Sequence, residues 1–224
     1  RELFVDSPND KMYWVEQTSG KLRRANLAGG AVVDLATGLD VPYGIAADVA
    51  RGKLYWTVGT TLGGTADGVW QANLDGSDAS LLRLSGADGI HGVEVDPTSG
   101  RISWGVALVG PVGEIQQVNP DGSAYASLIL GGSQTDFRHL ALDVVNQQVY
   151  FDDLGTRQIY RLPYGGGVPQ AIVTAGDPHS VAVFIPEPGA ALFALASFFT
   201  CSRDRAGRST KHARGEASGA VTCP

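Results

Sequence analysis

Residues able to perform acid–base or anion-binding chemistry lie just before a series of short apolar segments in this chain. Tyr43, His91, Arg138 and His179 each precede such a segment by two residues, and His139 directly follows Arg138. An imidazole titrates near neutral pH and can act as a general acid or base, while a guanidinium binds anions. We expect these five side chains to meet at the mouth of one channel. There they form either a binding or catalytic site or an ordinary polar rim.

The apolar segments belong to an internal repeat of roughly 45 residues. Each copy contains an Asp that is followed eight residues later by a large aromatic residue. The four pairs are Asp6 and Trp14, Asp48 and Trp56, Asp96 and Trp104, and Asp143 and Phe151. Turn-forming residues separate them, as in residues 96–100, where Asp caps the turn, Pro presets φ and Gly adopts a positive φ. Each copy therefore predicts a β-hairpin whose Asp is a turn cap and not a calcium ligand.

Each copy continues through a third segment and a second turn, such as Asn-Leu-Asp-Gly-Ser at 73–77, into a fourth segment. Asp-Gly is a strong hairpin signal, and four antiparallel strands per repeat are typical of a β-propeller blade. The predicted fold is all-β, a β-propeller of four four-stranded blades over residues 1–184. A fifth inner strand is predicted from Ser180 to Phe184. We expect an open arc, such as an incomplete six-bladed propeller, completed by missing N-terminal blades or by a second chain.

The repeated aromatic residues have a predicted structural role. A blade cannot bury both of its faces alone, so a large ring has to fill the space between it and the neighbouring blade. We expect Trp14, Trp56, Trp104 and Phe151 to be buried for this reason.

Two motifs give the repeat a family resemblance. Lys-Leu-Tyr-Trp-Thr at 53–57 and Leu-Asp-Gly-Ser at 74–77 resemble the YWTD (LDL-receptor class B) repeat and its LDGS turn, and the resemblance covers residues 1–184. The family's motif Asp is present as Asp153, Glu16 is a possible substitute, and valine occupies the position in the two middle repeats. The resemblance implies a six-bladed propeller that acts as a binding or interaction module.

The C-terminal segment resembles a bacterial sorting signal. Pro186, Glu187 and Pro188 are followed by an apolar run at 190–201 and then by Arg203 and Arg205, a pattern similar to the PEP-CTERM signal of envelope-bearing bacteria. Over 185–205 this implies export to the bacterial cell envelope or beyond, transient membrane contact through 190–201, and cleavage by a sorting peptidase of the exosortase type. Residues 206–224 are expected to be a disordered basic tail. Because spanning a bilayer takes about 20 apolar residues, a terminal helix packed on the propeller is the alternative.

Composition excludes several partners and cofactors. The net charge is −6 and the propeller has no basic stripe, so nucleic acid is not expected as a partner. The only cysteines, Cys201 and Cys223, lie in the tail, and no His-x-x-x-His spacing occurs, so neither a metal site nor a cofactor is expected.

Two hypotheses of function follow. The first is an exported bacterial surface propeller that binds protein or extracellular polysaccharide without catalysis. The alternative is a propeller hydrolase or lyase, similar to gluconolactonases or streptogramin lyases, that uses His91, His179 and Arg138 at the channel mouth. Convergence of these side chains on one small pocket would favour the enzyme.

Overall fold

The chain folds into four consecutive four-stranded antiparallel sheets. A computed structural model describes residues 2–59, 67–85, 89–107, 113–130, 135–174, 178 and 181–183. Within each sheet the strands follow one another in chain order, and each sheet packs on the next through its inner strands. This arrangement confirms the predicted all-β propeller blades.

The blades are numbered in chain order. Blade 1 consists of β1 to β4, which span Leu3–Asp6, Lys11–Glu16, Lys21–Ala25 and Val33–Thr37. Blade 2 consists of β5 to β8, which span Val41–Asp48, Lys53–Gly59, Gly68–Asn73 and Ser80–Leu84. Blade 3 consists of β9 to β12, which span Ile90–Val95, Ile102–Ala107, Gly113–Val118 and Ala126–Leu130. Blade 4 consists of β13 to β16, which span Phe137–Asp143, Gln148–Asp153, Gln158–Pro163 and Gln170–Thr174.

The repeated Asp residues cap the turns between the first two strands. Asp6, at the start of the 3-10 turn Ser7–Asn9, accepts from the Asn9 backbone N–H at 3.3 Å. Asp48 accepts from the Arg51 N–H at 3.0 Å and Asp143 from the Asn146 N–H at 3.0 Å. Asp96 accepts from Thr98 in the same way at 2.8 Å. The predicted capping role is confirmed, because a carboxylate oxygen satisfies a backbone donor in each turn.

The aromatic residues that lie eight positions after each repeated Asp do not all have the same environment. Trp56, Trp104 and Phe151 are buried to 1% exposure or less, each in a core between its own blade and the blade before it. Trp14 is only half-buried, so its predicted burial is wrong. The reason is positional: among the described residues no blade faces the side of blade 1 on which Trp14 lies.

The inner strands of blades 2, 3 and 4 share a β-bulge. In each, two residues of the inner strand lie opposite one residue of the second strand. The doubled residues are 43–44, 91–92 and 138–139, and the residues opposite them are Thr57, Gly105 and Asp152. A bulge bends its strand and redirects the side chains it carries. Of the predicted channel-mouth residues, Tyr43, His91, Arg138 and His139 therefore lie at the bulges of blades 2, 3 and 4.

Several predictions fall on the C-terminal part of the chain. Of the predicted fifth strand, residues 181–183 are described and they belong to no strand. His179, the motif at Pro186, Glu187 and Pro188, and residues 184–224 lie outside the described residues. The part of the chain that is described contains no helix long and apolar enough to cross a membrane.

Candidate functional site

The bulges of the inner strands, together with the residue before β1, place a set of polar side chains at the same end of successive blades. We call Glu2, Tyr43, His91, Arg138 and His139 the bulge cluster. Glu2, Gly44, Gly92 and His139 all lie four residues before a turn-capping Asp. Tyr43, His91 and Arg138 lie one residue earlier. A Cβ on Gly44 would lie 2.7 Å from the Val93 nitrogen of blade 3, and one on Gly92 would lie 2.7 Å from the Arg138 carbonyl oxygen of blade 4, so both glycines permit the close approach of the next blade's backbone.

Tyr43 and His91 form an aromatic pair across the junction of blades 2 and 3. Their ring centroids are 4.7 Å apart with an interplanar angle of 72°, an edge-to-face geometry that suits the opposite charges of a ring edge and a ring face. His91 is 8% exposed. Thr57 joins the two bulges, because its hydroxyl donates to the His91 carbonyl and accepts from the Gly44 N–H at 2.8 Å.

The Arg138 side chain is held by the carboxylate of Asp136, which lies two residues earlier in the chain. Its Nε lies 2.9 Å from Asp136 Oδ1 and its terminal nitrogen lies 2.7 Å from Asp136 Oδ2. This is a bidentate pair, which fixes the guanidinium plane as well as neutralising its charge. The hydrogen bond to Asp136 raises the pKa of Arg138 above its ordinary value. The guanidinium is therefore charged and oriented, while 42% of the side chain is exposed to solvent.

His139 is paired with a fully buried carboxylate. Asp152 is 0% exposed, and its Oδ2 lies 2.7 Å from His139 Nδ1 while its Oδ1 accepts from the His139 N–H at 2.8 Å. Burial disfavours the charged imidazolium, but the hydrogen bond and charge of Asp152, with the charge of Glu2, together raise the pKa of His139. In blade 4, Asp152 lies opposite the bulge as Thr57 does in blade 2. Like the Thr57 hydroxyl, its carboxylate accepts a hydrogen bond from a backbone N–H of the bulge.

Glu2 crosses from blade 1 to the other three blades. Its Oε2 accepts from the Ile45 N–H of blade 2 at 3.2 Å. Its Oε1 lies 3.0 Å from the point where a Cβ on Gly92 of blade 3 would stand, so the absence of a side chain there admits the carboxylate. Burial raises the pKa of Glu2 to about 7, although the charge of His139 in blade 4 and the hydrogen bond from Ile45 act in the opposite direction.

A second acid, Glu94, is half-buried and lies further along the same inner strand as His91. Burial, with a smaller contribution from the charge of Glu2, raises the pKa of Glu94 to about 8. With these pKa values, Glu2 and Glu94 change protonation near neutral pH. The cluster can therefore exchange protons as well as offer aromatic and cationic surfaces to a ligand.

The sequence predicted part of this arrangement. Tyr43 and His91 are in contact, and Tyr43 contributes to the electrostatic environment of Arg138, so these three predicted residues are brought together. Arg138 and His139 instead direct their hydrogen bonds to Asp136 and Asp152. Sequence reasoning missed Glu2 and Asp152, although the repeat register that aligns Glu2 with His139 contained the signal for Glu2. Among the described residues, no group of three His, Cys, Asp or Glu side chains is placed to hold a metal ion.

The described residues thus form part of a β-propeller with a polar cluster at its inner-strand bulges. No protein-family model matches the chain. Protein cueball of Drosophila sechellia is 31% identical over 167 residues, which is 72% of this chain and 25% of that protein. The chain therefore spans about a quarter of the length of the curated relatives that it matches.

Solved structures support the same fold. A chain of the crystal structure of the Nidogen/Laminin complex superposes with a TM-score of 0.69 at 23% identity, covering 78% of this chain and 65% of that one. A gluconolactonase from Xanthomonas campestris superposes with a TM-score of 0.61 at 16% identity, covering 78% of this chain and 63% of that one. Both likenesses show the β-propeller fold, and they include a protein seen in a complex and an enzyme.

Proposed function

We propose that the four blades are repeats of the YWTD type and that the chain is a non-catalytic binding module, with the bulge cluster as its ligand site. The observation that carries this proposal is the orientation of Arg138 by Asp136 beside the Tyr43 and His91 pair. A fixed cation next to aromatic rings is a rigid recognition surface, and rigidity lowers the entropy lost on binding. Aromatic and arginine side chains also dominate the energetics of protein interfaces.

The ligand is an extracellular protein or polysaccharide. A structural relative seen in the Nidogen/Laminin complex supports a protein ligand, and the exposed Arg138 suits acidic groups of either class. The chain itself has a net charge of −6, which does not favour nucleic acid.

An array experiment tests the proposed site. The wild-type chain would be applied to immobilised laminin and to neutral and uronic-acid polysaccharides. For every probe that binds the wild type, the affinities of the Arg138→Ala and Tyr43→Ala variants would then be measured. Each variant should bind about tenfold more weakly or worse, since a truncation costing about 1.4 kcal/mol changes affinity by that factor. Arg101→Ala, at the opposite end of blade 3, is the matched control and should bind like the wild type. Absence of binding to every probe, or equal binding by all variants, would overturn the proposal.

We further infer that the protein is bacterial and exported, with residues 185–205 as its sorting signal. The support is the order of the Pro186–Glu187–Pro188 motif, the apolar run at 190–201 and the basic residues after it. A reporter fused to 185–224 should be cleaved in a host that contains the sorting peptidase, and the same fusion with Glu187→Ala should not. A reporter that stays uncleaved in both forms would show that the segment is no such signal.

An acid–base function is the second candidate, and the pairing of His139 with buried Asp152 favours it. A carboxylate that orients an imidazole is a common arrangement in hydrolases, and a gluconolactonase has the same fold. The test is hydrolysis of a panel of sugar lactones by the wild type and by His139→Gln. Activity that is lost in the variant would favour the enzyme, and absence of turnover by the wild type would favour the binding module.

A further inference from the structure

One buried carboxylate organises the bulge of blade 4. Asp152 is 0% exposed, and its Oδ1 accepts from the backbone N–H groups of both bulge residues, Arg138 at 3.2 Å and His139 at 2.8 Å. In a regular strand successive side chains point to opposite faces, and a bulge interrupts this alternation. The bulge therefore brings two basic side chains into one region, where the charge of Arg138 acts on His139.

Each of these basic side chains has a nitrogen left over for a ligand. Asp136 binds Nε and Nη2 of Arg138, and Asp152 binds Nδ1 of His139 at 2.7 Å. In the part of the chain that the structure describes, Arg138 Nη1 and His139 Nε2 have no hydrogen-bond partner. The two side chains are 42% and 29% exposed. Both nitrogens are thus fixed by a carboxylate on their other side and are open to solvent.

The protonation state of His139 decides what Nε2 offers. Because Asp152 accepts from Nδ1–H, neutral His139 has an acceptor at Nε2, whereas protonated His139 has a donor there. Asp152 and the charge of Glu2 raise the pKa of His139 above its ordinary value, against the effect of burial. The donor form therefore persists to higher pH than in a free imidazole. In that form His139 and Arg138 present two charged donors side by side, which suit an oxyanion.

The charge balance of the region favours an anion with a single charge. Arg138 and His139 are accompanied by Asp136, by Asp152 and by the carboxyl group of Glu2, whose electrostatic effect reaches His139. These acids offset both cations, so the region has no surplus positive charge to balance a dianion such as a phosphate. A carboxylate carries one negative charge and has two oxygens that accept directional hydrogen bonds from a guanidinium and an imidazolium.

Tyr43 supplies an aromatic surface beside this cationic pair. It contributes to the electrostatic environment of Arg138, and its ring is packed edge-to-face on His91 with centroids 4.7 Å apart. An aromatic ring offers apolar surface to flat groups that carry C–H bonds. A uronic acid combines a sugar ring that has C–H faces with a carboxylate on that ring. An aspartate or glutamate side chain supplies the carboxylate alone, so the combination favours the acidic sugar.

We propose that the bulge cluster binds a uronic acid, with the carboxylate between Arg138 Nη1 and His139 Nε2 and the sugar ring against Tyr43. This rests on the binding function proposed above and names its ligand class. The carboxylate binds the protonated form of His139, so binding and protonation strengthen each other. Ionised Glu2 opposes the incoming carboxylate. Affinity therefore rises as the pH falls from mildly alkaline to mildly acidic.

The other charged groups around the site are consistent with this direction. Besides each other, the described side chains whose charges act on His139 or Glu2 are Asp152, Arg138 and Glu94. Glu2, with its pKa of about 7, and Glu94, with its pKa of about 8, both lose negative charge as the pH falls through this range. Each loss makes the region more favourable to an anion.

A nuclear magnetic resonance titration with D-glucuronate tests the proposal. D-glucose is the uncharged sugar for comparison, and aspartate capped at both ends represents an acidic peptide. The wild type should bind glucuronate at least about tenfold more tightly than either comparison ligand at mildly acidic pH. Bound glucuronate should raise the imidazole pKa of His139, whose signal is assigned from its absence in His139→Gln. Above that pKa the affinity should fall by up to about tenfold per pH unit.

Three variants locate the carboxylate. Arg138→Gln and His139→Gln should each weaken glucuronate binding about tenfold or more at mildly acidic pH. Glu2→Gln should strengthen it at mildly alkaline pH, because the opposing charge is gone. Arg101→Gln, at the opposite end of blade 3, is the matched control for loss of a cation and should bind like the wild type. Circular dichroism confirms that each variant is folded.

The outcomes separate this proposal from the binding function on which it rests. Glucose or capped aspartate binding as tightly as glucuronate would overturn the uronic acid assignment. An unchanged imidazole pKa in the presence of bound glucuronate would overturn the position of the carboxylate. If an array probe binds through Arg138 and Tyr43 while glucuronate does not bind, only the ligand class is wrong. If no array probe and no sugar binds, the binding function is wrong as well.

Discussion

At the scale of single residues, the carboxylates of this protein have opposite electrostatic environments according to burial. Glu2 has a pKa raised to about 7, chiefly by burial. Glu16 accepts hydrogen bonds from Ser19, Trp14 and Arg23 at the surface, and these lower its pKa to about 2. Of these two carboxylates, Glu2 therefore changes its charge between mildly acidic and neutral pH, whereas Glu16 stays charged throughout that range.

This contrast predicts a pH dependence of stability that belongs to Glu2. A carboxyl whose pKa is higher in the folded state binds its proton more tightly there, so the free energy of unfolding falls as pH rises from about 4.5 to about 7. Glu94, with its pKa raised to about 8, and His139, with its raised pKa, add losses in the same direction. Glu2→Gln should remove the contribution of Glu2, which is at most about 3 kcal/mol for a shift of this size. Denaturant unfolding at a series of pH values measures it.

Glu16→Gln is the control for this prediction. A carboxyl with a lowered pKa gives stability that is lost only as pH falls below its ordinary value of 4.5 and toward about 2, which is outside the window of Glu2. The variant should keep the wild-type slope from mildly acidic to neutral pH. If Glu2→Gln also kept that slope, the burial of Glu2 across the inner strands would be contradicted.

At the scale of elements, two residues at the same position of the repeat can differ in burial. Trp14 and Trp56 occupy the same position of the same hairpin, yet Trp56 is 1% exposed between two blades. Trp14 instead donates from Nε1 to Glu16 at 2.9 Å and lies beneath Arg23 at the edge of the fold. The chain thus contains a natural comparison of one residue type in two environments.

Trp56→Ala should lower the free energy of unfolding by about 3–5 kcal/mol, because it removes a large buried side chain and leaves a cavity. Trp14→Ala should cost clearly less, since part of its surface already contacts water. Thermal and denaturant unfolding of the two variants measure the difference. Equal losses would mean that the face of blade 1 on which Trp14 lies is covered in solution.

The sequence predicted the elements well because their signals are local. The Asp at each hairpin and the aromatic residue eight positions later fix the turn cap and the strand register within a single blade. The position of Glu2 depends instead on Gly92 of blade 3 and the Ile45 N–H of blade 2, and the pairing of His139 with Asp152 depends on a bulge that no alternation of residues reveals. The half-burial of Trp14 could not be predicted either, because its local pattern is that of Trp56 and only the neighbouring blade differs.

At the scale of the whole molecule, the four blades differ in how many neighbours they have. Blades 2 and 3 are covered on both faces, so the core residues Leu54 and Ile102 are 0% exposed. Within the described chain, the face of blade 1 that would pack on a preceding blade is open, and so is the face of blade 4 that would pack on a following blade. In a linear array of repeats each unit is stabilised by its neighbours, so the end blades should open more readily than the central ones.

Hydrogen exchange of backbone amides should therefore be slowest in blades 2 and 3 and faster in blades 1 and 4. The informative comparison is between equivalent inner strands, β9 with β1, which each pair with the second strand of their own blade but differ in the neighbouring blades. Local opening of β1 exposes little additional apolar surface, because Leu3 is already 58% exposed and Val5 48%, so its opening free energy should be small. Equal protection in all four blades would mean that the chain unfolds only as one unit, and protection that falls steadily from one end would contradict the central position of the stable blades.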